Sequence, residues 1–365
     1  DRARKPQLGQ GTKDGMSDLI LEVRDLVVDI PVATGMLHPV QSISFDVTRG
    51  ETLCIVGESG CGKSLTSLAV MDLLPSTATC TATTLRLDGE DLQSAGEKRM
   101  TDIRGNKMAM IFQEPMTSLN PAYTIGNQLE EALLRHKQVS AAEARDRAIY
   151  LLEKVGITAA ASRLTQYPHQ LSGGLRQRVM IAMALMCGPD LIIADEPTTA
   201  LDVTIQAQIL HLLADLQKEF NMGMILITHD LGVVARVADR VAVMYAGQIV
   251  ETGTAKQVFE NPTHPYTQGL LECIPIPGKT ERGAPLGSIP GIVPSLVGDL
   301  PGCHFADRCV HAMDACRTGR IDLRDSFEDG HVFRCLLTPD QSAANLKRGA
   351  ALWPTRKTSF SKPAT

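Results

Sequence analysis

The sequence predicts an α/β fold with a mixed, largely parallel central sheet and a separate antiparallel layer. Short apolar runs separated by long helical stretches indicate parallel strands joined by crossover helices. Four runs fit this pattern: 52–57, 108–113, 190–195 and 224–229. Residues 19–30 and 42–47 instead alternate apolar and polar side chains, which is typical of half-buried antiparallel strands. Residues 241–253 predict a hairpin.

Between the second and third apolar runs the pattern is helical. Residues 121–185 contain apolar side chains at helical spacing, and Ser140 with Glu143 forms a capping box that begins one of the helices. Gly156 is a suitable residue for the end of that helix. We therefore place a helical subdomain at about 115–190, inside a larger domain that covers residues 16–260.

The remaining segments differ in composition from this domain. Residues 1–15 are polar and predict a disordered extension. Residues 261–302 hold eight prolines and seven glycines, which predicts an extended linker and not a packed helix or sheet. Together with the cysteine-containing segment that follows, it forms a second predicted unit, 261–340, and residues 341–365 form a polar tail.

Composition excludes several classes of protein. Hydrophobic residues make up 44% of the 365 residues, so the chain can build a sizeable core and is not disordered as a whole. The net charge of −5 argues against nucleic acid as a partner, because nucleic-acid-binding domains are usually strongly basic. The longest apolar run, Val179–Cys187, is far shorter than a membrane-spanning helix.

A glycine-rich turn follows the first apolar run and precedes a helical stretch. Residues 57–64 fit the pattern G-x-x-x-x-G-K-[ST], in which backbone N–H groups surround phosphate oxygens. The lysine supplies a positive charge to the β- and γ-phosphates, and the final hydroxyl binds Mg²⁺. The predicted nucleotide contacts are Gly57, Ser59, Gly60, Cys61, Gly62, Lys63, Ser64 and Leu65.

Polar residues end three of the other apolar runs. Asp195 suits a carboxylate that holds Mg²⁺ together with Ser64, and the adjacent Glu196 is placed to act as general base towards a water molecule. His229 and Gln113 also follow strands, at the edge where open α/β sheets bind ligands. We expect His229 to orient the water or the γ-phosphate, and Gln113 to contact both Mg²⁺ and water.

The segment LSGGLRQR at residues 171–178 decides the family resemblance. With the phosphate-binding loop upstream, it resembles the ATP-binding subunits of ATP-binding-cassette (ABC) transporters, which have a P-loop NTPase fold. The resemblance implies that ATP and Mg²⁺ are bound and that a second ABC ATPase, a related chain by preference or a copy of this one, pairs head to tail. The segment acting on the partner's nucleotide would comprise Ser172, Gly173, Gly174 and Gln177. Asp202 matches the loop that crosses the dimer seam.

Three further segments resemble the ATPases of dipeptide and oligopeptide importers, a group that includes nickel importers: 111–121, 264–271 and the cysteine-containing pattern within 302–335. This implies two membrane permeases as partners, an extracytoplasmic solute-binding protein acting indirectly, and a place on the cytoplasmic face of the membrane. The implied function is ATP-driven import of short peptides. Import of nickel or another small solute by the same subfamily is one alternative, and an ABC ATPase without a transport role is the other. The family usually stacks adenine on an aromatic side chain, but residues 19–44 contain no Phe, Tyr or Trp. Ile30, Pro31 or His38 would have to replace it.

Four of the nine cysteines fall within a short C-terminal segment: Cys303, Cys309, Cys316 and Cys335. Structural zinc sites usually contain closely spaced cysteine pairs, which this segment lacks, whereas iron–sulfur clusters tolerate wider spacing. Zinc with a histidine ligand (His304, His311 or His331), four free thiols, and two disulfides formed by oxidation remain as alternatives. The family resemblance points to a 4Fe–4S cluster, so we expect a small, irregular C-terminal metal-cluster lobe.

Overall fold

The structure is a computed structural model that describes residues 18–114, 118–199, 201–274 and 288–345. The predicted extension at 1–15, residues 275–287 of the predicted linker and residues 346–365 of the predicted tail lie outside these ranges. In the described parts, no helix combines the length and the apolar character that crossing a membrane requires.

The strands are numbered in chain order. They are β1 (Leu19–Val32), β2 (Gly35–Thr48), β3 (Thr52–Val56), β4 (Thr79–Thr81), β5 (Thr84–Leu87), β6 (Glu90–Asp91), β7 (Met108–Ile111), β8 (Leu191–Asp195), β9 (Gly223–Thr228), β10 (Arg240–Tyr245), β11 (Gln248–Thr254), β12 (Arg324–Asp325) and β13 (Val332–Phe333).

The helices are numbered in the same way. They are α1 (Lys63–Val70), α2 (Glu97–Ile103), α3 (Ile125–His136), α4 (Ala141–Lys154), α5 (Ala160–Arg163), α6 (Gly173–Ala184), α7 (Val203–Phe220), α8 (Leu231–Val237), α9 (Ala255–Glu260), α10 (Pro265–Glu272) and α11 (Pro339–Asn345). Short 3₁₀ turns occur at Pro168–Gln170, Ala306–Arg308 and Asp314–Arg317.

The strands form two sheets. The first is antiparallel, in the order β2-β1-β5-β6, with β4 also paired to β1. The second has the order β12-β13-β11-β10-β3-β9-β8-β7 and is parallel from β10 to β7. The predicted antiparallel layer and mixed sheet are therefore both present.

Alternation along the parallel strands divides the core into two parts. On β3, Cys54 and Val56 pack with the helices of the predicted helical subdomain, whereas Leu53 and Ile55 pack against the antiparallel sheet. Successive strand side chains point to opposite faces, so each buried strand must be apolar on both. This is why the runs seen in the sequence are continuous and do not alternate.

Helix α4, between β7 and β8, begins and ends where local sequence chemistry predicts. Ser140 accepts a hydrogen bond from the Glu143 backbone N–H at 3.2 Å, and the Glu143 carboxylate accepts one from the Ser140 backbone N–H at 2.7 Å. The predicted capping box is thus confirmed at the start of α4. Gly156 follows the helix with a φ of +80°, the left-handed conformation expected after a helix end.

The prediction of an irregular linker over 261–302 is wrong at its start. Helix α10 occupies Pro265–Glu272 and buries Tyr266 and Leu271 in the core. His264 caps this helix by accepting a hydrogen bond from the Tyr266 backbone N–H at 3.1 Å, and proline is at the first helical position, where it costs no hydrogen bond. The high proline content of the segment concealed this helix.

A buried carboxylate ties the C-terminal part to the central sheet. Glu251 on β11 is completely buried and accepts hydrogen bonds from the backbone N–H groups of Thr263 (2.6 Å) and His264 (2.8 Å). His331, just before β13, lies 2.7 Å from the same carboxylate through Nε2. Strand β13 pairs with β11, so the main sheet continues into the predicted second unit.

We expect Glu251→Gln to lower the free energy of unfolding by about 2–4 kcal/mol, because the amide NH₂ would face buried donors that then lack an acceptor. Urea denaturation of the purified chain measures this loss. Glu260→Gln is the matched control, since Glu260 is exposed and pairs with Lys256 at the surface, and the change should cost no more than about 0.5 kcal/mol. Equal losses in both variants would contradict the role given to Glu251.

Candidate functional site

The glycine-rich turn lies between β3 and α1 and touches two other strands. At Gly57, a Cβ atom would come within 2.1 Å of the Met244 carbonyl oxygen on β10, and at Gly62 within 2.0 Å of the Pro39 carbonyl oxygen on β2. Both glycines have positive φ, +155° and +104°. Only glycine combines this conformation with such a close backbone approach, so the turn is held against both sheets.

Lys63 begins helix α1 and is almost completely buried. Its Nζ donates hydrogen bonds to the carbonyl oxygens of Gly57 (2.9 Å) and Glu58 (3.0 Å) in its own loop. The amides of the first helical turn lack intrahelical partners and create a positive end at the same place. Lysine and helix end together form a site for an anion.

The predicted residues around the turn converge on one cleft. It has an empty volume of about 960 Å³, including its open mouth. Its lining residues come from the turn, from α1 and from the ends of three parallel strands: Ser59, Gly60, Gly62, Lys63, Ser64, Leu65, Gln113, Glu196 and His229. Gly57 and Cys61 do not line this cleft, and both are buried within the turn.

Asp195 is the buried partner of the loop hydroxyl. The Ser64 Oγ donates a hydrogen bond to Asp195 Oδ1 at 3.0 Å. Burial and the neighbouring Glu196 charge raise the pKa of the Asp195 carboxyl above its usual value, although the Ser64 hydrogen bond opposes the shift. A hydroxyl and a carboxylate are oxygen ligands of the kind that Mg²⁺ prefers, and the two lie side by side.

Glu196 is oriented by three side chains. Its Oε2 accepts hydrogen bonds from Thr199 Oγ1 (2.9 Å) and Gln113 Nε2 (3.3 Å), and it lies 3.4 Å from His229 Nδ1. The backbone at Glu196 has a φ of +43°, which is uncommon for a residue with a side chain and directs the carboxylate into the cleft. The sequence interpretation missed Thr199, which a search for hydroxyls three residues after the glutamate would have found.

The predicted partner-facing residues lie elsewhere. Ser172 caps α6 by accepting a hydrogen bond from the Leu175 backbone N–H at 3.4 Å, and Asp202 caps α7 by accepting one from Ile205 at 2.9 Å. Ser172, Gly173 and Asp202 are exposed, and Gly174 is half-buried. Gln177 differs from them because it is buried inside the fold, so its side chain is not presented at this surface.

The three residues considered for the adenine do not line the cleft described above. His38 Nδ1 lies 2.6 Å from Asp29 Oδ1 on the neighbouring strand. The His38 ring lines a different cavity, which also contains Arg320 and Arg334 from the C-terminal segment. This position gives no support to an adenine contact through His38.

The four C-terminal cysteines surround a single small cavity. All four cysteines line this narrow cavity, to which His264 and His311 also contribute. Burial raises the pKa of Cys303 to about 11, and the other three thiols add to the shift. Within the described ranges, no group of three or more His, Cys, Asp or Glu side chains could hold a metal ion. The described structure therefore does not support the expected metal-cluster lobe.

Comparison with known proteins shows two matching family models. The ABC transporter model matches residues 40–199, which contain the glycine-rich turn, both carboxylates and Ser172. The model of the oligopeptide/dipeptide transporter C-terminal region matches residues 250–316. The dipeptide transport ATP-binding protein DppD of Bacillus subtilis (strain 168) is 53% identical over 326 residues, which cover 89% of this chain and 96% of that protein.

This chain belongs to the ATP-binding subunits of ABC transporters. The oligopeptide transport ATP-binding protein AppD of the same organism is 49% identical, over 89% of this chain and 98% of its own length. A dimeric post-hydrolysis structure of the ATP-binding cassette MJ0796, bound to ADP and phosphate, matches with a TM-score of 0.58 and 26% identity, and covers 65% of this chain and 99% of that one. The predicted ABC cassette fold and the assignment as an ATPase are confirmed.

We expect Gly62→Ala to destabilise this ATPase more than Gly60→Ala. Both positions have positive φ, which costs a residue with a side chain about 1–2 kcal/mol. Only Gly62 also places the new methyl group against a backbone oxygen, because nothing lies within 4 Å at Gly60. Thermal unfolding without nucleotide compares the two variants, and equal losses would contradict the described packing of the turn.

Proposed function

We propose that this chain binds ATP with Mg²⁺ and hydrolyses it to drive the import of short peptides. The observation that carries the proposal is the orientation of Glu196 by Gln113, Thr199 and His229 at the cleft that also contains Lys63. A base, a cation and an anion-binding helix end face the same space. Hydrolysis of a phosphoanhydride needs this combination of positioning and charge stabilisation.

The phosphates bind against the turn and the start of α1. Lys63 exchanges its contacts with loop carbonyl oxygens for oxygens of the β- and γ-phosphates, and Ser59, Gly60 and Gly62 provide the surrounding backbone. We assign Ser64, Asp195 and Gln113 as the residues that hold Mg²⁺, which neutralises charge on the phosphates when bound.

Glu196 takes a proton from the attacking water. The water oxygen forms a bond to the γ-phosphorus while the bond to the bridging oxygen breaks, so that ADP leaves with the electron pair of that bond. His229 orients the water or the γ-phosphate, and Thr199 and Gln113 hold the carboxylate during the transfer. Positioned proton transfer of this kind contributes about 10²–10⁴-fold to a rate.

The partner-facing surface completes the site in a dimer. We propose that Ser172, Gly173 and Gly174, at the exposed start of α6, bind the nucleotide held by a second ABC ATPase, and that Asp202 lies at the seam between them. A related chain is our preferred partner, and a copy of this chain is the alternative. ATP-driven closure of this pair would move two permease subunits docked on the cytoplasmic face of the membrane.

We propose short peptides as the cargo because the names of two relatives specify dipeptide or oligopeptide transport. We assign selection of the solute to the permeases and to an extracytoplasmic binding protein. Nickel or another small solute carried by the same group of importers is the alternative cargo, and uptake assays in the assembled complex would separate the two.

We propose further that the four cysteines hold a 4Fe–4S cluster. In support, all four thiols line one cavity, although they are not gathered closely enough for a single ion. A cluster is larger than an ion and is held by four thiolates from a wider cage. Burial raises the pKa of the Cys303, Cys309 and Cys335 thiols, and bound iron would favour the thiolate form.

Glu196→Gln should lower the rate of ATP hydrolysis by about 10²–10⁴-fold, because the amide cannot accept the proton. ATP binding should persist, since the phosphate contacts remain, and the closed dimer should accumulate. Phosphate release and size-exclusion chromatography measure these effects in the assembled transporter. Glu153→Gln, at an exposed position on α4, should hydrolyse ATP normally. Wild-type hydrolysis by Glu196→Gln would show that Glu196 is not the base.

Protein purified without oxygen should be brown, absorb near 400 nm and contain iron and sulfide in equal amounts, as a cluster of this type requires. Cys316→Ser should lose the colour and most of the iron. Cys80→Ser is the control, because Cys80 is exposed in β4 and distant in sequence from the four ligands. Colourless wild-type protein that carries one zinc ion per chain would rule out the cluster.

A further inference from the structure

Glu58, the second residue of the phosphate-binding loop, is held by residues from beyond the cassette core. Its carboxylate accepts two hydrogen bonds from Arg308: Nη1 donates to Oε2 at 2.7 Å and Nη2 to Oε1 at 3.1 Å. Its backbone N–H donates to the Tyr266 hydroxyl at 2.9 Å. Side chain and backbone of the same loop residue are thus fixed by two different C-terminal elements.

Arg308 uses every donor it has. Nε donates to the Pro290 carbonyl oxygen at 2.9 Å, and the two N–H groups not used by Glu58 reach the Ile289 carbonyl oxygen at 3.1 Å and the Tyr245 hydroxyl at 3.4 Å. A guanidinium has five N–H donors, so none remains unpaired. The side chain is only 6% exposed, and lysine could not reproduce this set of contacts.

Aromatic rings surround this guanidinium. Its central carbon lies 5.7 Å from the ring centre of Tyr245 and 5.9 Å from that of Phe305. The Tyr266 ring packs against both, with centre-to-centre distances of 4.6 Å and 5.3 Å. The rings keep water away from the guanidinium, while the Glu58 side chain is 27% exposed. The pair is therefore stronger than one in which both charges are exposed.

The position of Glu58 makes its charge relevant to ATP. The next residue, Ser59, lines the nucleotide cleft, and the Glu58 carbonyl oxygen accepts a hydrogen bond from Lys63. A carboxylate at this point of the loop repels the triphosphate unless a cation neutralises it. Arg308 is the cation that contacts it in the described structure.

We propose that Arg308 and Tyr266 are positioning residues of the ATPase site. Arg308 neutralises Glu58, and together with Tyr266 it holds the loop in the conformation that receives the phosphates. The C-terminal segment is then part of the nucleotide site and not only an appendage. The proposal rests on the assignment of residues 57–64 as the phosphate-binding loop.

The test is ATP binding to the full-length chain carrying Arg308→Met, alone and combined with Glu58→Gln. The single variant should raise the Kd for ATP about tenfold, the effect of losing one charge-assisted pair. The double variant should regain most of the affinity, because no unneutralised carboxylate then faces the phosphates. In the assembled transporter, KM should follow the same order while kcat changes by less than about twofold.

A purely structural role for Arg308 predicts different ATP affinities for these variants. If Arg308 only held the C-terminal segment in place, the double variant would bind ATP no better than Arg308→Met, and this result would overturn the proposal. Arg317→Met is the matched control, because Arg317 forms an exposed pair with Asp307 in the same segment. Its Kd should stay within about twofold of the wild type.

Two further variants separate a folding defect, or a wrong assignment of the loop, from a wrong role for Arg308. If Arg308→Met does not fold, Arg308→Lys replaces it, since it keeps the charge but not the paired hydrogen bonds, and should raise the Kd about threefold. An unchanged Kd in the arginine variants would overturn the proposal. Lys63→Ala tests the loop itself: if it binds ATP as the wild type does, the proposed nucleotide site is wrong, and not only the role of Arg308.

Discussion

The close approach of the phosphate-binding loop to strands β2 and β10 is the constraint on which the site depends. Gly57 and Gly62 bring the loop backbone against carbonyl oxygens of Met244 and Pro39, where a side chain has no room. The loop is therefore fixed relative to both sheets before any ligand binds. Lys63, the start of α1 and the carboxylates at the end of β8 take their relative positions from this contact, and preorganisation of this kind is how such sites stabilise developing charge.

Sequence patterns predicted the parts of the structure that depend on local chemistry. The buried strands, the glycine-rich turn and the capping box at Ser140 each follow from neighbouring residues, and each is present. The parallel arrangement also brings strand ends together, which is why Gln113, Glu196 and His229 could be expected to meet at one edge. Thr199 was missed because only the residues that directly end the strands were considered, and its hydroxyl reaches Glu196 from the turn that follows the strand.

The C-terminal part could not be predicted in the same way because long-range contacts determine it. No helix or strand pattern in the sequence predicts the contacts of the Glu251 carboxylate. It binds Thr263, His264 and His331, which lie further along the chain. The proline-rich composition around α10 suggested a linker, although the helix is buried through its tertiary contacts. Burial of this kind overrides local propensity. The gathering of four cysteines around one cavity likewise depends on the folding of residues far apart in sequence.

These long-range contacts connect the two chemical regions of the molecule. Arg308 precedes Cys309 directly, so the guanidinium that holds Glu58 and a thiol that lines the cysteine cavity occupy adjacent positions in one short turn. Phe305, in the same turn, packs on Tyr245 and Tyr266, the two residues that contact Arg308 and the loop backbone. Because tightly packed side chains transmit displacement and do not absorb it, the geometry around the cysteines and that of the phosphate-binding loop are set together. The C-terminal segment does not line the cleft itself, but it contacts the loop that does through Glu58.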